Sequence, residues 1–251
     1  MSCLTLTVIG CSGSVPGPQS AASCYLVEAD GFRLVMDLGS GAIGPLQRHC
    51  AIAEIDAVLL SHLHPDHCID VLPLYVARTY GPGGKRPRLP VYGPAGAGAD
   101  LARAYPGRDD PGLGGAFEFA ELSPGRVPIG PLAVTVARVA HPVPTWAIRI
   151  EHGGRSVVYS ADSGPCDALV ELARGADLFL CEASYVEDES NPPDLHLTGA
   201  EAGEHAAKAG VRRLVLTHIP PWYDPTQALT AAGRTFDGPI ELARPGSSYQ
   251  V

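Results

Sequence analysis

The stretch Leu59-Leu60-Ser61-His62-Leu63-His64-Pro65-Asp66-His67 closes a short apolar run and puts four potential metal ligands within six residues. The run 57–60 reads as a buried strand, and the polar residues begin where it ends. A strand end feeding a loop can turn several side chains to one side. Imidazole and carboxylate together suit zinc or a similar divalent ion. His62 and His64, two apart in extended chain, share a side, whereas Asp66 and His67 lie past the proline bend and can address a second ion. A solvated histidine-rich loop would explain one of these residues but explains the group poorly.

Three more candidates stand just past apolar runs and before a Gly or Pro turn. His141 follows 132–140, Asp162 follows 156–159, and His218 follows 213–216. Singly, each has an ordinary reading: a satisfied structural histidine, or a carboxylate capping a turn. Four strand ends delivering the same ligand types favour a functional site.

Composition bounds the partners of such a site. The chain has 251 residues, 45% of them hydrophobic, 18% charged, with a net charge of −9. One domain over 1–251 with a substantial core is expected. The acidic balance argues against wrapping long nucleic acid. Twenty-nine glycines and 24 prolines describe many short elements and turns. No apolar run approaches the roughly 18 residues of a membrane span, and the first ten residues read as a strand, not a signal peptide. Seven scattered cysteines, none in a Cys-x-x-Cys pair, are neither a disulfide framework nor a thiolate zinc site, so the cytoplasm is the expected compartment.

Strands are expected at 4–9, 24–28, 33–36, 57–60, 132–140, 146–150, 156–159, 178–181 and 213–216. Helices are expected at 70–79, 98–105, 167–174, 199–209 and 226–236. Thr198 with Glu201 forms a capping box for the fourth helix, and Gly210 stops it. The Gly/Pro-rich residues 81–90, with Lys85, Arg86 and Arg88, read as a loop whose charges are as readily a solvated surface.

With His62, His64, Asp66 and His67 standing as His-x-His-x-Asp-His, the chain resembles the metallo-β-lactamase-fold hydrolases. The resemblance runs from the loop Gly10-Cys11-Ser12-Gly13-Ser14-Val15-Pro16 to His218. It implies an α/β fold, an αβ/βα four-layer sandwich with two divalent ions at one edge between two sheets. His62, His64 and His141 would hold one ion and Asp66, His67 and His218 the other, with Asp162 bridging. Zinc is the first candidate, and Mn²⁺ or Fe²⁺ also accept such ligands. Cys181-Glu182-Ala183-Ser184 and His196-Leu197-Thr198 resemble the ribonuclease Z-like branch, which carries an extra histidine ahead of the last ligand. A further likeness is to atypical class II cyclic-nucleotide phosphodiesterases, carried by Leu46-Gln47-Arg48-His49, Pro192-Pro193-Asp194-Leu195-His196-Leu197 and Leu216-Thr217-His218-Ile219-Pro220-Pro221-Trp222.

The chemistry these likenesses imply is phosphodiester hydrolysis, with 3′,5′-cyclic nucleotides such as cAMP as substrate. A dimetal pair lowers the pKa of a bridging water to about neutral. Asp66 would ligate one ion and accept a hydrogen bond from the nucleophile, and His196 would act as general acid or stabilise the charge on the phosphorane. Asp37 resembles a carboxylate orienting a metal-bound histidine, although capping the Gly39-Ser40-Gly41 turn is a competing role. Ser12, Ser14 and Trp222 are candidate substrate or outer contacts; Trp222 and Tyr223 could equally be a packed loop. A tRNA 3′-endonuclease of ribonuclease Z type is a weaker reading. Its basic arm has no room between His141 and Asp162, 21 positions apart, where two strands and a Gly153-Gly154 turn fill the interval. Ester, thioester or lactone hydrolysis on the same ions, or metal binding without catalysis, are further alternatives. A small anionic substrate, no membrane, no long nucleic acid and a homodimer complete the expectation. Residues 80–90 and 107–115 depart most from the phosphodiesterases and are where specificity could differ.

Overall fold

The apolar runs of this chain pair into two mixed sheets, seen in a computed structural model that describes residues 3–82, 86–105 and 112–251. The first sheet takes β1 (Thr5–Ser12), β2 (Ala21–Ala22), β3 (Cys24–Ala29), β4 (Phe32–Met36), β5 (Ala57–Leu59), β6 (Leu89–Gly93) and β7 (Phe117–Glu121). The second takes β8 (Gly125–Ile129), β9 (Leu132–Arg138), β10 (Trp146–His152), β11 (Arg155–Tyr159), β12 (Leu178–Glu182), β13 (Leu214–Thr217) and β14 (Ile240–Leu242). A last strand, β15 (Ser248–Gln250), returns to the first sheet beside β1. The orders are β15-β1-β3-β4-β5-β6-β7, with β2 on β1, and β14-β13-β12-β11-β10-β9-β8.

Each sheet has an antiparallel and a parallel half. β4 through β7 run parallel, as do β11 through β14. Parallel strands need crossovers, and helices supply most of them on the outer faces. α1 (Ile43–Leu46), α2 (Pro65–Cys68), α3 (Val71–Tyr80) and α4 (Ala97–Arg103) belong to the first sheet. α5 (Asp167–Ala173), α6 (Gly199–Ala209) and α7 (Pro225–Ala232) belong to the second. One core lies between the sheets, with Leu6, Tyr25, Leu34, Val134, Ile148 and Tyr159 among its members. Two more lie between each sheet and its helices. The layers are helix, sheet, sheet, helix, as the resemblance implies. No helix among the described residues is long and apolar enough to cross a membrane.

The five expected helices are present, and the capping box at Thr198 and the left-handed Gly210 stop are both seen on α6. The fifth helix ends at Ala232, short of 236. β2, β6, β7, β8, β14 and β15 are not among the expected strands. β8 is a half-exposed edge without apolar alternation, and β14 and β15 are three residues each. Leu89 and Pro90, expected in a loop, open β6. Pro90 is tolerated because it lies beyond the end of the β5 pairing, which begins at Val91. Between His141 and Asp162, β10 and β11 form a hairpin that occupies most of the segment. The loops 80–90 and 107–115 fall partly outside the described residues.

α6 and α7 approach through a glycine. A Cβ at Gly199 would stand 2.4 Å from the backbone oxygen of Ala228. Gly199→Ala must therefore force the helices apart, and about 1–3 kcal/mol of unfolding free energy should be lost. Chemical denaturation measures it; unchanged stability would contradict this packing.

Candidate metal centre

β5 is buried along its length, so the chain reaches the sheet edge at Ser61 with its side chains confined to a narrow space. Pro65 occupies the first position of α2, which suits a helix start, and holds His64 extended at φ −66°, ψ 145°. Asp66 and His67 then follow on the helix. The turn after β4 clamps this segment: Leu38 N donates to His67 O at 2.7 Å, and Asp70 N to Leu38 O at 3.0 Å. Gly39 is required there, because a Cβ would lie 1.9 Å from the Asp66 carbonyl oxygen.

The other candidates arrive from the second sheet. His141 comes shortly after β9, Asp162 after β11, and His218 directly after β13. Three non-glycine residues here take left-handed backbone: Asp37 at φ +53°, Ala161 at +53° and His218 at +55°. Each lies at or beside a candidate ligand or its partner, a place where strain is commonly stored.

Seven side chains converge in two groups that share one carboxylate. His62, His64, His141 and Asp162 form the first; Asp66, His67, Asp162 and His218 form the second. In the first, His64 Nδ1 lies 3.1 Å from His62 Nε2 and 3.3 Å from His141 Nε2, and His62 Nε2 lies 3.6 Å from Asp162 Oδ2. In the second, His67 Nε2 lies 3.0 Å from His218 Nε2 and 3.2 Å from Asp162 Oδ1. His218 Nε2 is 3.1 Å from Asp66 Oδ2. The two oxygens of Asp162 thus face different groups.

The outer partners decide which ring nitrogen carries hydrogen. His141 Nδ1 faces the Leu195 carbonyl at 2.9 Å, which can only accept. His67 Nδ1 donates to Asp37 Oδ2 at 2.8 Å. Ser61 Oγ donates to the same carboxylate and so accepts from His62 Nδ1 at 3.0 Å. Ser184 Oγ donates to Glu182 Oε2 and accepts from His218 Nδ1 at 2.8 Å. Each outer N–H is satisfied, which leaves the inner Nε2 of all four rings free to coordinate.

These residues fit divalent ions. Nitrogens at about 2.0–2.1 Å from tetrahedral zinc stand about 3.3 Å apart, close to the spacings here. Asp162 Oδ1 is buried without a hydrogen-bond partner among the described residues, an orphan that a cation would satisfy. Burial, then the neighbouring His67, holds the His62 imidazole well below its usual range. His67 is pulled the other way: burial opposes its charge, but Asp162 and Asp37 outweigh it and raise it well above. A proton on its inner nitrogen answers the same carboxylates that a metal would.

Beside the second group, His196 Nδ1 donates to Glu182 Oε1 at 3.0 Å, and its ring lies 5.5 Å from His141 and 5.7 Å from His218. Burial disfavours its charge, but the Glu182 carboxylate prevails and raises the imidazole to about 9. Asp37 is wholly buried and accepts from Ser61 N, Ser61 Oγ, Tyr159 Oη and His67 Nδ1; it makes no cap for the Gly39 turn among these bonds. Ser12 is buried and donates to Val15 O at 2.7 Å within its own loop. Ser14 and Trp222 are exposed, Trp222 at 59%, against Tyr223. No hydrogen bond joins Ser12, Ser14 or Trp222 to the cluster among the described residues. Sequence reading gave no role to Glu182, Ser61, Ser184 or Tyr159. Two signals were available: a charged residue ending the apolar run of β12, and the place of Glu182 and Ser184 in the segment that resembles the ribonuclease Z-like branch.

Asp37→Asn places an amide where His67 and Ser61 need an acceptor. Metal affinity should fall about 10–100-fold, read by zinc competition against a chelator; wild-type affinity would count against the orienting role of Asp37.

Comparison with known proteins agrees with this geometry. The family model described as the β-lactamase superfamily domain matches residues 33–219. Protein ML1173 of Mycobacterium leprae is 46% identical over 252 residues, covering 98% of this chain and 88% of that one. The probable metallo-hydrolase YhfI of Bacillus subtilis is 31% identical over 249 residues, covering 98% and 100%. Ribonuclease Z of Mycolicibacterium gilvum is 31% identical over 271 residues, covering 95% and 93%. The crystal structure of YhfI superposes with a TM-score of 0.89 at 30% identity over all of both chains. Yeast PDE1, at 13% identity and a TM-score of 0.74 over 99% of each chain, shares the fold. By sequence and by fold, then, this chain belongs to the β-lactamase superfamily, as a hydrolase with the metallo-β-lactamase fold in its ribonuclease Z-like branch.

Proposed function

We propose that the protein is a two-metal phosphodiesterase acting on small phosphodiesters, with 3′,5′-cyclic nucleotides such as cAMP as first candidates and 5′-nucleotides as products. The observation that carries this reading is the Glu182–His196 pair set against two donor groups that share Asp162. His62, His64 and His141 would hold one ion and Asp66, His67 and His218 the other, zinc being the first candidate. Bound divalent ions supply Lewis acidity and bring the pKa of water toward neutral. Asp162 then fixes the spacing between the groups, and Asp66 offers a carboxylate oxygen to orient the attacking water. His196 is held by Glu182 at one nitrogen, so its other nitrogen can deliver a proton to the leaving oxygen.

That last role separates the classes. An alkoxide leaving from phosphorus needs a proton, and His196 is placed beside both groups without being required as a ligand. Ester, thioester or lactone hydrolysis has less use for it. A tRNA endonuclease is supported by the ribonuclease Z relative. Against it stand the net charge of −9 and the hairpin that fills most of the segment between His141 and Asp162. The same reading takes the chain as one domain, from its organisation, in the cytoplasm, from its scattered cysteines, and as a homodimer, from the family resemblance.

A panel of 3′,5′-cAMP, 3′,5′-cGMP, 2′,3′-cyclic nucleotides, precursor tRNA and simple lactones, with metal content measured on the same preparation, tests the proposal. Turnover confined to lactones, or to precursor tRNA, would overturn it. His196→Ala should keep its metal yet lose about 10²–10⁴-fold in kcat; full turnover with full metal content would remove His196 from the mechanism. Asp162→Ala should lower metal content itself, and undiminished content would refute the shared carboxylate.

A further inference from the structure

We propose that Tyr25 and Tyr159 are a cross-sheet positioning pair, which sets the approach of His67 to His218 and so the affinity of the second donor group for its ion. His67 belongs to the segment after β5 in the first sheet and His218 follows β13 in the second, yet their Nε2 atoms stand 3.0 Å apart. Something must fix the separation of the sheets at this level, and two hydrogen bonds cross there in opposite directions. Tyr25, on β3, bonds Thr217 Oγ1 at 2.7 Å, on the residue directly before His218. Tyr159, ending β11, donates to Asp37 Oδ2 at 3.0 Å, the oxygen that also receives His67 Nδ1.

Both tyrosines are wholly buried, and their rings pack together at 5.0 Å between centroids, tilted by 57°. Phenylalanine would serve the apolar part of this core equally well and would bury no hydroxyl. A buried hydroxyl whose partner is a residue touching or adjoining a candidate ligand, repeated from both sides, is a device for placing those ligands. Burial pushes both phenols well above their usual range, so each keeps its hydrogen. Neither tyrosine is placed to touch substrate. They act through Thr217 and Asp37, as positioning residues.

This inference rests on the two-ion reading, and its failure is separable from that one. If the unaltered protein binds no zinc, the two-ion reading fails; if the variants bind zinc as the unaltered protein does, only the tyrosine assignment fails. The experiment compares Tyr25→Phe and Tyr159→Phe with the unaltered protein by zinc titration against a chelator, with denaturant unfolding of each metal-free protein alongside. One of the two ions should be held about 10–100-fold more weakly in each variant, the other within about threefold. Thr217→Val removes the Tyr25 bond from its far end and should reproduce Tyr25→Phe, which keeps the test open if Tyr25→Phe folds poorly. Lowered metal-free stability with both zinc affinities unchanged would overturn the proposal as mere packing, as would equal weakening of both ions. A tightened ion in Tyr159→Phe would overturn it too. That sign belongs to an electronic role, in which Asp37, relieved of one donor, draws harder on His67.

Discussion

Five imidazoles and two carboxylates turn their coordinating atoms toward one another across 3.0–3.6 Å. Left to themselves such groups repel, and in a buried setting the repulsion is little screened. The arrangement holds because the outward nitrogen of four of those rings is tied to an acceptor: a peptide carbonyl behind His141, hydroxyls behind His62 and His218, and a carboxylate behind His67. Three of those partners, Asp37, Ser61 and Ser184, stand just past the ends of β4, β5 and β12. The packing holds together groups whose convergence a cation would satisfy, and which a proton on His67 partly answers.

The topology makes this possible. Each sheet has a parallel half, and parallel strands deliver all their carboxyl ends to one edge. Ser61, Asp162, Glu182 and His218 come from four such ends, two sheets contributing to one cleft. The chain turns sharply as it leaves them, which is why Asp37, Ala161 and His218 accept left-handed backbone that a side chain ordinarily avoids. Strain at three points is tolerated where the surrounding hydrogen bonds over-determine the conformation.

Much of this is legible in the sequence. The ligand types at the ends of apolar runs, the capping box of α6 and the hairpin after His141 are local patterns, and local patterns are written in neighbouring residues. What was not legible depends on distant partners. Glu182 looks like the tail of a strand until His196 folds back beside it, and Tyr25 looks like core until Thr217 arrives from the other sheet. β8, whose exposed edge needs no alternation, and β14, three residues long, take their structure from the strands they pair with and so leave little trace in sequence. Asp37 was ambiguous for the same reason: a carboxylate after a strand caps a turn or serves a side chain, and only the fold chooses.

The order of donors along the chain has a consequence for how the protein is made. The first group takes residues 62, 64, 141 and 162, whereas the second takes Asp66, His67 and Asp162 and waits for His218, the last of the seven donors along the chain. During synthesis a chain grows from its N-terminus at about 5–20 residues per second. The emerging polypeptide therefore passes through an interval in which one cluster is chemically whole and its neighbour still lacks a wall. The second group is completed only as β13 takes its place in the second sheet and brings His218 beside His67 and Asp66.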